Sequence, residues 1–340
     1  NVFVLYDETM QTKEELQKRL LLFSRFIEQR AKQICQAPVI LYSGVGRYPN
    51  EDANIHILYE KAFHALEGAK KTKTKRIGFY QEDVYFKMHE EQVLQMELER
   101  ALRQGEFFLA YQPIVELQEK RVVAMEALIR WEHPQKGVLL PADFLDKALQ
   151  YGLMEKIGAW VIKQALADLA IINKTNPNFV ISINVSPEEL HNPIFPYFLE
   201  KEMRETHVFP QNVYLEITEQ SVLLDKVETL QTIDELRKMG VKLALDDFGT
   251  GFSNFSQLRQ YPVEAFKLDR SFLLDASEEK GYSIIHSLVR LADDLNISVL
   301  SEGVEEQCQC EKLQEIGCNY AQGYYFGRPK RIEDFLKEHV

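Results

Sequence analysis

Two adjacent carboxylates, Asp246 and Asp247, follow a short apolar run and precede a loop that contains Gly249 and Gly251. The apolar run predicts a buried strand, and the glycines permit backbone angles that other residues resist. In a regular strand neighbouring side chains point to opposite faces, so both aspartates can serve one site only where the strand ends or bulges. Two carboxylates about 4 Å apart repel each other by about 4 kcal/mol at an effective dielectric constant near 20, which predicts a nearby cation. The alternative interpretation is a helix cap or turn pair.

The elements that must position these acids follow a repeated strand-then-helix pattern after Gly105. Strands are expected near residues 108–116, 121–131, 179–185, 213–219, 242–247, 265–270, 297–302 and 319–326. Eight strands with this spacing predict an α/β fold, a (β/α)₈ TIM-like barrel. The residues 118–120 between the first two strands fit a hairpin, so we do not expect every strand to be parallel.

Acids and amides occupy the C-terminal ends of most of these strands, which is where such barrels carry their sites. The strand ends contribute Glu126, Asn184, Glu216, Asp246, Asp247, Lys267, Glu302 and Gln322. Helix capping alone does not account for so many polar strand ends. Oxygen donors without His or Cys favour Mg²⁺ or Mn²⁺ over zinc, and the spacing of the four cysteines indicates reduced thiols.

Charge separates the chain into two parts. The formal net charge is -12, yet residues 1–85 carry 13 Lys and Arg against 11 Asp and Glu. The acidic remainder argues against a nucleic acid polymer held through its phosphates. No apolar run is long enough to span a membrane, and no secretory signal is seen. We expect a cytoplasmic protein, or the cytosolic part of a longer one.

The first 80 residues alternate strand and helix. Strands are expected at 2–6, 38–42 and 76–80, and helices at 12–33 and 53–70. This unit resembles part of a GGDEF (diguanylate cyclase) domain through Ser43-Gly44-Val45-Gly46, although Asn1-Val2-Phe3 replaces the acidic motif of an active cyclase. Any small α+β sensory domain is the alternative. We predict a GGDEF-like domain at 1–82, a linker helix at 83–105 and a barrel at 106–340.

Several motifs in order give the barrel its resemblance to a known family. They are Tyr111-Gln112-Pro113-Ile114, Glu126-Ala127-Leu128, the Asp-Asp-Phe-Gly-Thr-Gly loop, Lys267-Leu268-Asp269, Glu302-Gly303-Val304-Glu305 and Gln322-Gly323-Tyr324. This part of the chain resembles the EAL family of cyclic di-GMP phosphodiesterases. The resemblance implies a hydrolase that opens cyclic di-GMP to linear pGpG with two Mg²⁺ or Mn²⁺ ions, and a homodimer formed through the barrel.

The resemblance also implies roles by position. The implied metal ligands are Glu126, Asn184, Glu216, Asp246, Asp247 and Glu302, and the implied catalytic residues are Glu126, Lys267 and Glu302, with Glu302 either a ligand or the general base. The implied substrate-binding residues are Gln112, Arg130, Asp269 and Gln322. Glu219, Gly249, Thr250, Gly251 and Glu305 would support the loop and the site. Asp269 and Glu305 could instead cap or begin helices, and Lys267 could be a structural ion-pair partner.

Two functions follow as hypotheses. The first is a metal-dependent phosphodiesterase of bacterial signalling, regulated by its N-terminal part. The second is a catalytically weak or inactive cyclic di-GMP receptor that signals through the linker helix. GTP is a candidate effector of the N-terminal unit.

Overall fold

The computed structural model describes residues 12–35, 40–47, 54–72, 76–80, 82–218, 227–248, 263–274 and 279–339. The chain divides into two compact units, Asn1–Met96 and Glu97–Val340.

The first unit contains a short parallel pair of strands and two longer helices. Its elements are α1 (Lys13–Cys35), β1 (Ser43–Val45), α2 (Ile55–Thr72) and β2 (Ile77–Phe79). The expected strand at 38–42 is wrong, because the structure places β1 at residues 43–45, where it pairs with β2. Gly44 and Gly78 explain the shift: a Cβ on either would overlap the backbone of α2, so only glycine allows this close packing. The strand expected at 2–6 lies outside the described residues.

Helix α3 (Glu82–Gln104) contains the boundary between the two units, at Met96 and Glu97. The strands of the second unit are β3 (Phe107–Glu116), β4 (Arg121–His133), β5 (Gly137–Leu139), β6 (Val180–Asn184), β7 (Val213–Thr218), β8 (Lys242–Phe248), β9 (Ala265–Leu268), β10 (Ser298–Ser301) and β11 (Tyr320–Gln322). Its helices are α4 (Pro141–Gln150), α5 (Met154–Ile172), α6 (Pro187–Leu190), α7 (Phe195–Thr206), α8 (Val227–Lys238), α9 (Ser271–Leu274), α10 (Glu279–Asp294), α11 (Gln307–Ile316) and α12 (Ile332–His339).

Eight strands of the second unit close into a barrel in the order β3, β4, β6, β7, β8, β9, β10, β11. All neighbouring pairs from β4 to β11 around the barrel are parallel, whereas β3 is antiparallel to both β4 and β11. The predicted (β/α)₈ barrel with a hairpin at its start is therefore confirmed. Since β3 runs in reverse, its first residues lie at the end of the barrel where the other strands finish.

Two details differ from the expected strands. β11 ends at Gln322 instead of continuing to residue 326, because the chain turns from Gly323 onward and Val304 contributes backbone hydrogen bonds there. The short strand β5 pairs with the end of β4 and was not expected. It consists of three residues, too few for an alternating pattern to be recognised.

Candidate active site

The barrel interior is apolar at one end and polar at the other. Ile114, Ala124 and Leu300 form a buried cluster against which Val180 and Tyr320 pack. Side chains two residues apart on a strand share a face, so the residue two positions further toward the polar end of the barrel also points inward. On these strands, or directly after β10 in the case of Glu302, these positions hold Gln112, Ser182, Glu126, Gln322 and Glu302. The two-residue alternation of side chains along the strands therefore places these polar residues in one layer of the barrel interior.

Lys267 lies at the centre of this polar layer with 2% of its side chain exposed. Its Nζ is 2.7 Å from Glu216 Oε2 and 2.7 Å from Glu302 Oε1. The same atom is 3.3 Å from Asp246 Oδ1 and 3.5 Å from Glu126 Oε1. Four carboxylates delivered by β4, β7, β8 and the end of β10 thus converge on one ammonium group.

Amide side chains fix the orientation of Glu126. Gln322 Nε2 donates to Glu126 Oε2 at 2.5 Å and to Gln112 Oε1 at 3.1 Å. Asn184, which is exposed, donates from Nδ2 to Glu126 Oε1 at 2.9 Å. The structure therefore brings together these four residues, which lie far apart in the sequence.

Ser182 is a site residue that the sequence analysis did not identify. Its Oγ donates to Glu216 Oε1 at 2.5 Å, and the serine is buried. The sequence could have identified it, because Ser182 lies two residues before Asn184 on β6 and therefore shares the face of β6 that carries Asn184.

The acidic charge of the layer exceeds what Lys267 can balance. Burial raises the pKa of Glu126, but the charge of Lys267 and the hydrogen bond from Gln322 outweigh burial and hold that pKa below its usual value. Burial and the charge of Glu126 raise the pKa of Glu216 well above its usual value. Burial likewise raises the pKa of Glu302 to about 7. Burial lowers the pKa of Lys267, but the charges of the surrounding carboxylates raise it by more. The pKa therefore lies well above its usual value, and the lysine is charged.

The aspartate pair lies at an irregularity of β8, as the strand argument requires. Leu245 pairs with Phe266 and Phe248 with Leu268, so β8 contains one more residue than β9 across this interval. Asp246 Oδ1 is buried and accepts no hydrogen bond, although Lys267 Nζ lies within ion-pair distance. The extra residue is thus located at Asp246 and Asp247, and for Asp247 the structure describes the backbone.

The donor chemistry of the site fits a hard divalent cation. Glu126, Asn184, Glu216, Asp246 and Glu302 supply carboxylate and amide oxygens, the ligands that Mg²⁺ and Mn²⁺ prefer. The buried Asp246 Oδ1 without a hydrogen bond is an available ligand atom. Among the residues that the structure describes, no three His, Cys, Asp or Glu side chains form a ready cage, because the acids converge on Lys267.

A cleft of about 300 Å³ opens above the polar layer. Its walls comprise Gln112, Glu126, Leu128, Asp246, Lys267, Arg270, Glu302, Gly303, Glu305, Gln322, Gly323 and Tyr324. Sequence reasoning had not assigned Leu128, Arg270 or Tyr324 to the site. Arg270 pairs with Glu305 at 3.0 Å on the rim, and Gly303 has φ +72°, which lets the chain turn beneath the Arg270 side chain.

Three predicted residues occupy peripheral positions. Arg130 is half-buried on the same face of β4 as Glu126, further along the strand, and burial lowers its pKa. Asp269 accepts from the Ser271 backbone N–H at 2.9 Å, which is the capping arrangement considered above for this residue. Glu305 is exposed and precedes α11.

Glu219, Gly249, Thr250 and Gly251 lie outside the described residues. Within the part of the chain that the structure describes, none of the helices combines the length and apolar character needed to cross a membrane.

Comparison with known proteins agrees with this arrangement. The sequence pattern of the EAL domain matches residues 95–329. The chain belongs to the EAL domain family. Its EAL domain contains all the residues of the cleft described above.

Relatives of this EAL chain come from several bacteria. An uncharacterized Synechocystis protein, sll1895, is 32% identical over 99% of this chain and 49% of its own length. The cyclic di-GMP phosphodiesterase NbdA of Pseudomonas aeruginosa is 30% identical over 92% of this chain and 42% of its own length. The chain thus spans half or less of the length of these relatives. The solved structure of the PaMucR phosphodiesterase in complex with c-di-GMP is 32% identical, with a TM-score of 0.68, and covers 72% of this chain and 99% of that one.

Proposed function

We propose that this protein hydrolyses cyclic di-GMP to linear pGpG with the help of divalent cations. The observation that carries the proposal is the convergence of four carboxylates on buried Lys267 at the C-terminal end of the barrel. The match to the EAL domain and the activity named for the NbdA relative support it.

The positions of Lys267, Glu302 and Arg130 suit three different roles in this reaction. Lys267 is held by Glu216 and Glu302, which fixes its N–H groups so that it can orient a water for attack on a phosphate. Glu302 lies beside that position with a pKa raised by burial to about 7, so it can exchange a proton near neutral pH or bind a cation. Arg130, further along β4, supplies a guanidinium group for a phosphate.

The acids of the polar layer around Lys267 are the proposed ligands of the cations. Glu126, Asn184, Glu216 and Asp246 would hold one Mg²⁺ or Mn²⁺, and Asp246, Asp247 and Glu302 would face a second. Bound divalent ions lower the pKa of water and offset the charge that develops on the phosphate. Gln322 and Asn184 keep Glu126 oriented by donating to its two oxygens.

The decisive experiment measures product and binding on the same protein. Purified protein is incubated with cyclic di-GMP and Mn²⁺ or Mg²⁺, and pGpG is quantified by chromatography, with EDTA as the metal-free arm. We expect pGpG with metal and none with EDTA, and loss of product in Glu126→Gln. Glu200→Gln, which changes an exposed acid paired with Arg204 on α7, is the matched control. Tight binding of cyclic di-GMP without any pGpG would refute hydrolysis and favour the receptor function.

The rest of the chain is assigned as follows. We propose a GGDEF-like domain at 1–82, a linker helix at 83–105 and the EAL barrel at 106–340, supported by the parallel strand pair of the first unit and by α3. We also propose a cytoplasmic location, a homodimer through the barrel, and GTP as an effector of the first unit. Light scattering tests the dimer, and a GTP titration of turnover tests the effector.

A further inference from the structure

Strand β4 extends beyond the closed barrel. Its parallel pairing with β6 ends at Ala127, whereas its antiparallel pairing with β3 continues to Trp131. β5 adds a second antiparallel partner, from Trp131 to His133. Arg130 therefore lies on an extension whose position depends on β3, β5 and whatever packs on its outer face.

The two faces of this extension have different surroundings. Glu126 and Arg130 share the inward face, since they are four residues apart on one strand. Trp131 and His133 share the outer face, where Trp131 is fully buried and His133 is 3% exposed. Anything that holds these two side chains also constrains the backbone at Arg130, which directly precedes Trp131.

The first contact on the outer face joins Trp131 to the end of α3. Trp131 Nε1 donates to Glu106 Oε2 at 3.0 Å, and Arg100 Nε donates to Glu106 Oε1 at 2.8 Å. Burial raises the pKa of Glu106, but the hydrogen bonds from Arg100 and Trp131 outweigh it and hold the pKa below its usual value. The carboxylate is therefore charged and bridges α3 to β4.

The second contact joins His133 to the same helix. His133 Nδ1 accepts from the backbone N–H groups of Gln135 and Lys136 at 3.1 and 3.2 Å. In the neutral form its proton is thus on Nε2, which lies 3.3 Å from Glu97 Oε1 without the geometry of a hydrogen bond. Lys136 Nζ lies 3.6 Å from the other oxygen of Glu97.

We propose that these two contacts, here called the β4 brace (Glu97 with His133, and Arg100 with Glu106 and Trp131), position Arg130 for substrate binding. The proposal rests on the proposed function. It follows from the reversed β3, which brings the end of α3 to the catalytic end of the barrel. Glu106 and His133 are positioning residues, because they act through Arg130.

The test is a double-mutant cycle between the brace and Arg130. In the full chain, Glu106→Ala is expected to raise KM for cyclic di-GMP roughly tenfold and to change kcat less than twofold. The matched control is Glu202→Ala, which removes a carboxylate of similar burial, 8% against 11% exposed, paired with Lys163 on the outer wall of the barrel. KM is expected to stay unchanged in this control, even if the unfolding midpoint falls equally.

The Arg130→Ala background separates positioning from general stability. There, Glu106→Ala should have no additional effect on KM, because the group that it positions is absent. Independent effects that multiply in the double variant, or an unchanged KM in Glu106→Ala, would overturn the proposal. Arg100→Gln replaces Glu106→Ala if the latter does not fold.

The dissociation constant for cyclic di-GMP is measured for the same variants in EDTA. A wild type that forms no pGpG contradicts the proposed function, while the dissociation constants still decide the role of the brace. We expect Glu106→Ala to raise the dissociation constant roughly tenfold when Arg130 is present and to leave it unchanged in the Arg130→Ala background.

Discussion

The burial of Glu189 is expected to make the stability of the barrel depend on pH. Its Oε2 accepts from the backbone N–H and the hydroxyl of Ser186, both at 2.9 Å, in the capping box of α6. Its Oε1 packs directly on Gly158 of α5, where a Cβ would overlap it. Glu189 is 6% exposed, and burial raises its pKa to about 7 against the opposing hydrogen bonds. Glu189→Gln keeps an acceptor for Ser186 and removes the charge.

The sign and the size follow from proton linkage. Between the ordinary pKa of about 4.5 and the raised value of about 7, the folded state binds more protons than the unfolded state, so stability falls as pH rises. Each pKa unit corresponds to about 1.4 kcal/mol, which gives a loss of about 3 kcal/mol by pH 8. Glu189→Gln should therefore equal the wild type near pH 4.5 and exceed its free energy of unfolding by about 3 kcal/mol at pH 8.

Tryptophan fluorescence during urea unfolding in EDTA measures this difference. The chain has two tryptophans, Trp131 and Trp160, and both lie in the barrel unit, so the signal reports on that unit. The control is Glu200→Gln, the same change at an acid of α7 that pairs with Arg204. If Glu189→Gln and the wild type keep the same difference from pH 5 to pH 8, the carboxyl is not protonated in the folded state and the reasoning fails.

Three further perturbations test the site and its support. Lys267→Met leaves the buried acids without their ammonium, so hydrolysis should be abolished and the free energy of unfolding in EDTA should fall by about 3 kcal/mol or more; retained pGpG formation would contradict this. Gln322→Leu removes the donor to the buried oxygens of Glu126 and Gln112, so it should lower kcat at least tenfold and cost about 1–3 kcal/mol in urea unfolding, whereas a change in KM alone would assign Gln322 to substrate binding. Tyr111→Phe removes the hydroxyl that donates to buried Asp168 and should cost about 1–2 kcal/mol in urea unfolding without lowering kcat; a parallel loss of kcat would show that this bond supports the cleft.

The barrel was predictable because its strands carry a strong local signal. Apolar runs separated by amphipathic helices recur with a regular spacing, and the hairpin at residues 118–120 identified the reversed first strand. The bulge at Asp246 and Asp247 is one of the two arrangements, a strand end or a bulge, in which two adjacent side chains can reach one site. The roles assigned to the individual site residues remain predictions for the experiments above.

Other features depend on contacts that are distant in the sequence. The strand expected at 38–42 was displaced because Gly44 and Gly78 allow β1 and β2 to approach α2, and no local pattern encodes that approach. Arg270 and Tyr324 reach the cleft from residues that follow β9 and β11, whereas the sequence analysis placed both inside longer expected strands. Ser182 differs from these, since its position two residues before Asn184 already placed it on the inward face.

The extension of β4 is where we propose that such a distant contact affects function. Within the barrel, strand pairing fixes Glu126 on both sides through β3 and β6, so its position follows from the fold itself. Arg130 lies beyond the last β6 pair, and its position follows from β3, β5 and the brace residues of α3. The proposed cation binding near Glu126 and the proposed phosphate binding at Arg130 therefore rest on different supports. A change in α3 can alter substrate affinity while the acids around Lys267 keep their geometry, which is why KM and kcat should separate in the brace variants.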